Sequence, residues 1–234
     1  MGLLRSAISA YRNGALVEGT EYRCYDIFYR KLFGDIVEIH GQLMDTAGHW
    51  PRPRAHLPGT WHEEPAFSTF IENVENGMNV ADVGAGSGWF TLNACDRVRP
   101  TGTVYAFEAD SSRYQTLERN LTLNEYENAT VVRERIDEDT RVSEYCTDLD
   151  FAIIDVEGHE FGVLKGLPGI RDESNPLQIL CEIHPTQLSG DTQERLYTLL
   201  EESGFDISYG NMGGSFGNEP KQVINELHQI YARR

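Results

Sequence analysis

The stretch "NVADVGAGSGWFTL", residues 79–92, constrains this chain more than any other. An apolar run enclosing one acid reads as a buried strand, Gly84, Gly86 and Gly88 read as a turn, and the bulky residues after them open a helix. Glycines let the backbone take left-handed conformations and come close to a ligand, and a helix start offers unpaired N–H groups. From residue 79 onward, short apolar runs alternate with segments of helical period, the pattern of a mostly parallel sheet with helices on its faces. The predicted strands are Asn79 to Val83, Val104 to Phe107, Thr130 to Arg133, Phe151 to Asp155, Ile179 to Ile183, Phe205 to Tyr209 and His228 to Ala232. The last two are joined by a glycine-rich link without helical period, so they form an antiparallel pair at one sheet edge.

Between the strands, "SSRYQTLERNLTLNE" places Tyr114, Leu117 and Leu121 on one helix face, with Ser111 as N-cap. "DTQERLYTLLEESG" pairs Asp191 with Glu194 at capping-box spacing and stops at Gly204. Residues 1–58 differ: helical segments around Ser6 to Val17 and Tyr22 to Phe33, a short strand near Val37 to Met44 and the proline-rich "HWPRPRAHLPGT" read as an N-terminal cap beside a main domain at 59–234. No internal repeat is visible.

At 234 residues the chain supports one substantial core with an elaboration. No apolar run approaches the roughly 20 residues of a membrane span, and the start lacks a secretory pattern, so the expectation is a soluble, cytoplasmic protein. Cys24, Cys95, Cys146 and Cys181 stand apart and read as reduced thiols. The formal net charge is −17, and the only lysines are Lys31, Lys165 and Lys221. That balance argues against a nucleic-acid backbone as partner, and a lysine-poor acidic surface resembles those of salt-loving microbes.

The turn spells G-x-G-x-G, with Trp89 where a dinucleotide fingerprint needs its last glycine, and no lysine follows to make a phosphate loop. Glu108, at the tip of "VYAFEAD", lies 20 residues beyond Gly88, where a carboxylate can accept hydrogen bonds from a ribose diol. A ribose clamp, an incomplete dinucleotide turn and Asp82 inside the first strand suit S-adenosylmethionine, whose cationic groups tolerate nearby acids.

"DVGAGSGWFTL", "VYAFEAD", "IIDVEGHEFGVLKGL" and "LCEIHP", in this order, resemble the FkbM-type family of S-adenosylmethionine-dependent methyltransferases, from about Gly59 to Ala232. The resemblance implies an α/β fold: a Rossmann-like class I methyltransferase sheet, mostly parallel with an antiparallel last strand. It also implies that Asp82, Gly84, Gly86 and Gly88 line the methionine part and Glu108 the ribose. "GTWHEE" is similar to the family's stretch before the first strand, which makes Glu63 or Glu64 a cofactor contact, Glu64 being the one taken here. The acceptor implied is a small molecule or glycan, with a hydroxyl on a sugar, glycolipid or related metabolite as the methylated group.

Methyl transfer needs an aligned acceptor and a group to remove its proton. The predicted strand ending at Asp155 delivers Asp155, Glu157, His159 and Glu160, and the next delivers Glu182 and His184, all at the carboxyl ends where α/β sheets bind ligands. Asp155, Glu157 and His184 are the catalytic candidates, with Asp155 also next to the cofactor. If the backbone stays extended through Val156, Asp155 and Glu157 share a side. Glu157 with Gly158 equally suits an ordered turn, and His159 a solvated helix start. Asp155, Glu182 and His184 offer metal ligands, yet no compact motif demands one, and no metal is expected. Two rival readings are an NAD-type oxidoreductase and an S-adenosylmethionine-binding protein without catalysis.

Overall fold

The computed structural model describes residues 36–39, 41–45, 64–211, 216–217 and 228–234. The two N-terminal helical segments, the proline-rich link, Cys24, Glu63 and most of the glycine-rich link after Tyr209 lie outside the described residues. The chain divides into two compact units, Met1–His62 and Glu63–Arg234.

In the first unit, β1 (Ile36–Ile39) and β2 (Gln42–Asp45) form an antiparallel hairpin with Ile39 opposite Gln42. One strand was expected here. Gly41, at φ 81, takes the left-handed conformation a two-residue hairpin turn needs and splits the segment in two.

The second unit runs α1 (Glu64–Asn73), β3 (Asn79–Val83), α2 (Trp89–Val98), β4 (Thr103–Phe107), α3 (Ser111–Leu123), β5 (Ala129–Val132), β6 (Phe151–Ile154), α4 (Glu160–Lys165), β7 (Gln178–Ile183), α5 (Gly190–Glu202), β8 (Asp206–Asn211) and β9 (His228–Arg233). Its seven-stranded sheet has the order β5-β4-β3-β6-β7-β9-β8. Strands β5 to β7 pair in parallel, while β9 is antiparallel to both β7 and β8. The expected antiparallel pair is therefore present, with the last strand slotted between β7 and the edge strand β8.

Burial explains why the strands were legible. All four residues of β6, "FAII", are buried, as a strand covered on both faces requires. Phe70 of α1 packs edge-on against Phe151 of β6, and Phe67 lies 4.9 Å, centroid to centroid, from the Trp89 indole at the start of α2. Helix caps differ from the prediction by one or two residues. Asp110, not Ser111, caps α3, its carboxylate accepting from the N–H groups of Ser112 and Arg113 at 2.9 Å. Ser189, not Asp191, caps α5, accepting from Thr192 N–H at 3.2 Å. The predicted stop at Gly204 stands: φ is 80 and Phe205 N–H reaches back to Leu200 O.

What matters for a site is the reversal of strand order. The chain builds β3, β4 and β5 outward in one direction, then returns to lay β6 on the other side of β3. The carboxyl ends of β3 and β6 thus flank the topological switch point, where sheets of this kind leave a crevice.

Candidate active site

Each glycine of the turn after β3 does a different job. Gly84, φ 89, faces the backbone beyond β6: a Cβ there would come 1.9 Å from the Asp155 carbonyl oxygen. Gly88, φ 98, faces α3, where a Cβ would come 2.5 Å from Leu117 Cδ1. At Gly86, φ 58, a Cβ would meet nothing nearer than Gly84 O at 4.0 Å, so open space lies beside the middle of the turn. The turn is tied to β4 by Gly84 and Ala85 N–H groups, both donating to Phe107 O at 3.0 Å. Helix α2 then begins without a side-chain cap, its first-turn N–H groups suited to a ligand carboxylate.

Glu108 is buried at the tip of β4. Its Oε2 accepts from Gly86 N–H at 2.8 Å and its Oε1 from Asp110 N–H at 2.6 Å. Each oxygen keeps a further lone pair, so the carboxylate can shape the turn and still accept from a diol. Asp82, by contrast, takes a side chain of α2 as its partner. It is buried below the turn and accepts a 2.5 Å hydrogen bond from the Thr91 hydroxyl of α2. Burial, reinforced by the Asp155 and Glu108 carboxylates, pushes its pKa up to about 7 despite the Thr91 bond. Glu64 stands first in α1, and its side chain lies outside the described residues.

On the other side of the switch point, β6 ends at Ile154 and not at Asp155. The backbone turns through Glu157 at φ 23 and Gly158 at φ 96, and the Glu157 charge is among those that raise the Asp155 pKa. Glu157 is exposed on this turn. His159, at the N-cap of α4, is also exposed, and its Nε2 lies 3.3 Å from an Arg135 guanidinium nitrogen.

The residues brought together are Asp155, Glu160, Glu182 and His184. His184 Nδ1 is 2.8 Å from Glu160 Oε1. Because a carboxylate only accepts, the ring N–H there is the donor, and Nε2 is turned toward the other two acids. Nε2 lies 3.7 Å from Asp155 Oδ1 and 3.5 Å from Glu182 Oε1. Glu160 Oε1 also accepts from the backbone N–H groups of Gly158 and His184, at 3.1 and 3.3 Å. The Glu160 side chain is fully buried, whereas half of Asp155 is open to solvent. The Glu160 hydrogen bond lifts the His184 pKa above the ordinary imidazole value, with Asp155 and Glu182 adding to it against the effect of burial. Desolvation at the strand tips, then the Glu182 charge, raises Asp155 to about 6, His184 opposing. Gln229 of β9 donates to Glu182 Oε2 at 3.4 Å.

The sequence placed Glu160 among the strand-end residues but gave it no catalytic or binding role. The signal was one acid in the otherwise apolar helix start "EFGVL", which needs a buried partner. The two halves of the site adjoin: Asp155 N–H donates to Val83 O at 2.9 Å, and its carbonyl fills the space a Gly84 side chain would take.

Strand order, the reversed β9 and the glycine turn define a Rossmann-like class I methyltransferase fold. Residues 124–207 match the methyltransferase FkbM domain, so the FkbM-type resemblance read in the sequence is borne out over the segment that carries the Asp155 to His184 cluster. No curated protein matches the chain in sequence. Solved structures share the fold. A Streptococcus mutans protein solved in complex with SAH matches at TM-score 0.53 and 11% identity, covering 74% of this chain and 97% of its own. The Geobacter metallireducens precorrin-6y C5,15-methyltransferase matches at 0.50 and 16%, covering 71% and 86%. The ribosomal protein L11 methylase of Lactobacillus delbrueckii matches at 0.50 and 15%, covering 74% and 78%.

Proposed function

We propose that this protein transfers a methyl group from S-adenosylmethionine to a hydroxyl of a small-molecule or glycan acceptor, a sugar or related metabolite in the cytoplasm. The observation that carries the reading is the contact between the two half-sites, with the glycine turn and Asp155 touching across the switch point. The residues present fit the cofactor: space beside Gly86, a buried Glu108 with spare lone pairs, and an uncapped α2 start. S-adenosylmethionine supplies an electrophilic methyl on a sulfonium. The chain's own part is to orient and deprotonate. Glu108 holds a ribose diol, and the α2 N–H groups hold a carboxylate. Asp155, exposed at the tip of the crevice, accepts the acceptor's hydroxyl proton, with Glu182 and His184 beside it.

An NAD-type reading is disfavoured by Trp89. Where a dinucleotide site has its third glycine for close helix packing, a buried indole packs on Phe67 instead. Calorimetric titration tests the proposal. S-adenosylmethionine should bind and NAD should not. Glu108→Ala should weaken binding at least about tenfold, as loss of charge-assisted hydrogen bonds implies. Asp155→Asn should keep cofactor binding while lowering transfer to the acceptor by about 10²-fold or more. Heat with NAD alone would exclude a methyltransferase, and an Asp155→Asn protein of unchanged turnover would remove Asp155 from the chemistry.

A further inference from the structure

The Asp155, Glu182 and His184 side chains stand in an arrangement that hydrogen bonding does not explain. The two carboxylate oxygens face the same imidazole nitrogen from 3.7 and 3.5 Å, beyond the usual 2.7–3.2 Å of an N–H···O bond. One ligand atom from each of the three residues lies within 4.8 Å of the others. Three atoms so spaced suit a cation that stands about 2.0–2.3 Å from each.

We propose that Asp155, Glu182 and His184 bind one divalent cation, with Glu160 as the residue that positions the imidazole. Three observations support this. The Nδ1–H donates to Glu160, which leaves the Nε2 lone pair pointed between the two carboxylates, as a metal-bound histidine with a carboxylate behind it requires. Glu160 is wholly buried, and its Oε2 has no hydrogen-bond partner, so the imidazole is backed by a carboxylate whose other contacts are two backbone N–H groups and no cation among the described residues. Among the described residues no lysine or arginine pairs with Asp155, Glu160 or Glu182; one imidazolium against three carboxylates would leave negative charge in excess, which a divalent ion offsets. The mixed set of two carboxylates and one imidazole suits Mn²⁺ or Mg²⁺, with positions left over for water and an acceptor hydroxyl. A hydroxyl oxygen bound there loses its proton to water more readily, and the second Asp155 oxygen remains free to assist. This deepens the methyltransferase reading and rests on it for the identity of the acceptor, but the cation site stands on its own geometry.

Titration of the full chain with Mn²⁺ alone, followed by loss of the aquo-ion electron paramagnetic resonance signal, is the test. One ion per chain is expected. Asp155→Asn and Glu182→Gln should each weaken it at least about tenfold, and Glu160→Gln, which touches no ion, by about 10- to 100-fold. If a variant fails to fold, nitrogen coupling to bound Mn²⁺ in the wild-type protein decides the matter, since only His184 supplies a ring nitrogen in this set. No bound ion, an affinity untouched in both Asp155→Asn and Glu182→Gln, or no nitrogen coupling would overturn the proposal. Binding of S-adenosylmethionine is followed on the same samples: cofactor bound without Mn²⁺ overturns the cation site alone, and Mn²⁺ bound without cofactor supports it while overturning the methyltransferase reading.

Discussion

Asp82 and Glu108 are both acids beside the glycine turn, yet packing gives them different work. The place of Glu108 was legible because a carboxylate 20 residues past the turn, at a strand tip, lies back beside the turn, where it accepts from Gly86 N–H. The resemblance implies a methionine contact for Asp82; the fold buries its carboxylate and has one oxygen accept from Thr91, nine positions along on α2. That burial has a measurable result. The folded pKa of about 7 lies above the ordinary value of 3.8, so folded protein holds the proton more tightly than unfolded. The stabilisation is complete below about pH 4 and is lost as pH rises through 7. Unfolding free energies from urea titration should therefore fall from pH 5 to pH 8 by an amount on the order of 1–3 kcal/mol, and Asp82→Asn, which still accepts from Thr91, should flatten that fall. Equal slopes in the two proteins would show that Asp82 ionises freely. Glu160 was the least legible residue, because its partner His184 is 24 positions away and only the fold makes them neighbours.

Among the elements, existence was easier to read than ends. Continuous apolar runs identify β3, β6 and β7 because a strand buried on both faces admits little else. The turn that follows β6 rests on something a hydrophobic pattern does not carry, the positive φ of Glu157 and Gly158. Caps show the same limit. Asp191 had the right spacing to Glu194, but Ser189 occupies the extended position, φ −67 and ψ 150, from which a side chain reaches Thr192 N–H. Ser189→Ala should accordingly cost about 1 kcal/mol in chemical denaturation. Asp191→Ala, which removes only a charge near the helix start, should cost about 0.3–1 kcal/mol at low ionic strength. A larger loss for Asp191 would return the cap to the position its spacing suggested.

For the whole molecule, the charge of −17 makes folding work against self-repulsion that dissolved ions screen. The melting temperature should rise as sodium chloride goes from low to molar concentration, and an uncharged osmolyte that excludes itself from surfaces should not reproduce the full rise. A melting temperature indifferent to salt would mean the acids are spread too far apart to matter, and would remove the ground for reading a salt-adapted surface. The sequence by itself determined the α/β class, the strand positions, the glycine turn, the Glu108 tip and the FkbM-type resemblance, because periodicity and close spacing are local properties of a chain. Only the tertiary structure decided that Asp155 touches Gly84 and that His184 is held by Glu160 and faced by Glu182. Those relations depend on β6 returning beside β3 and on β7 and α4 closing over it, and lateral strand order leaves no periodic trace in the sequence.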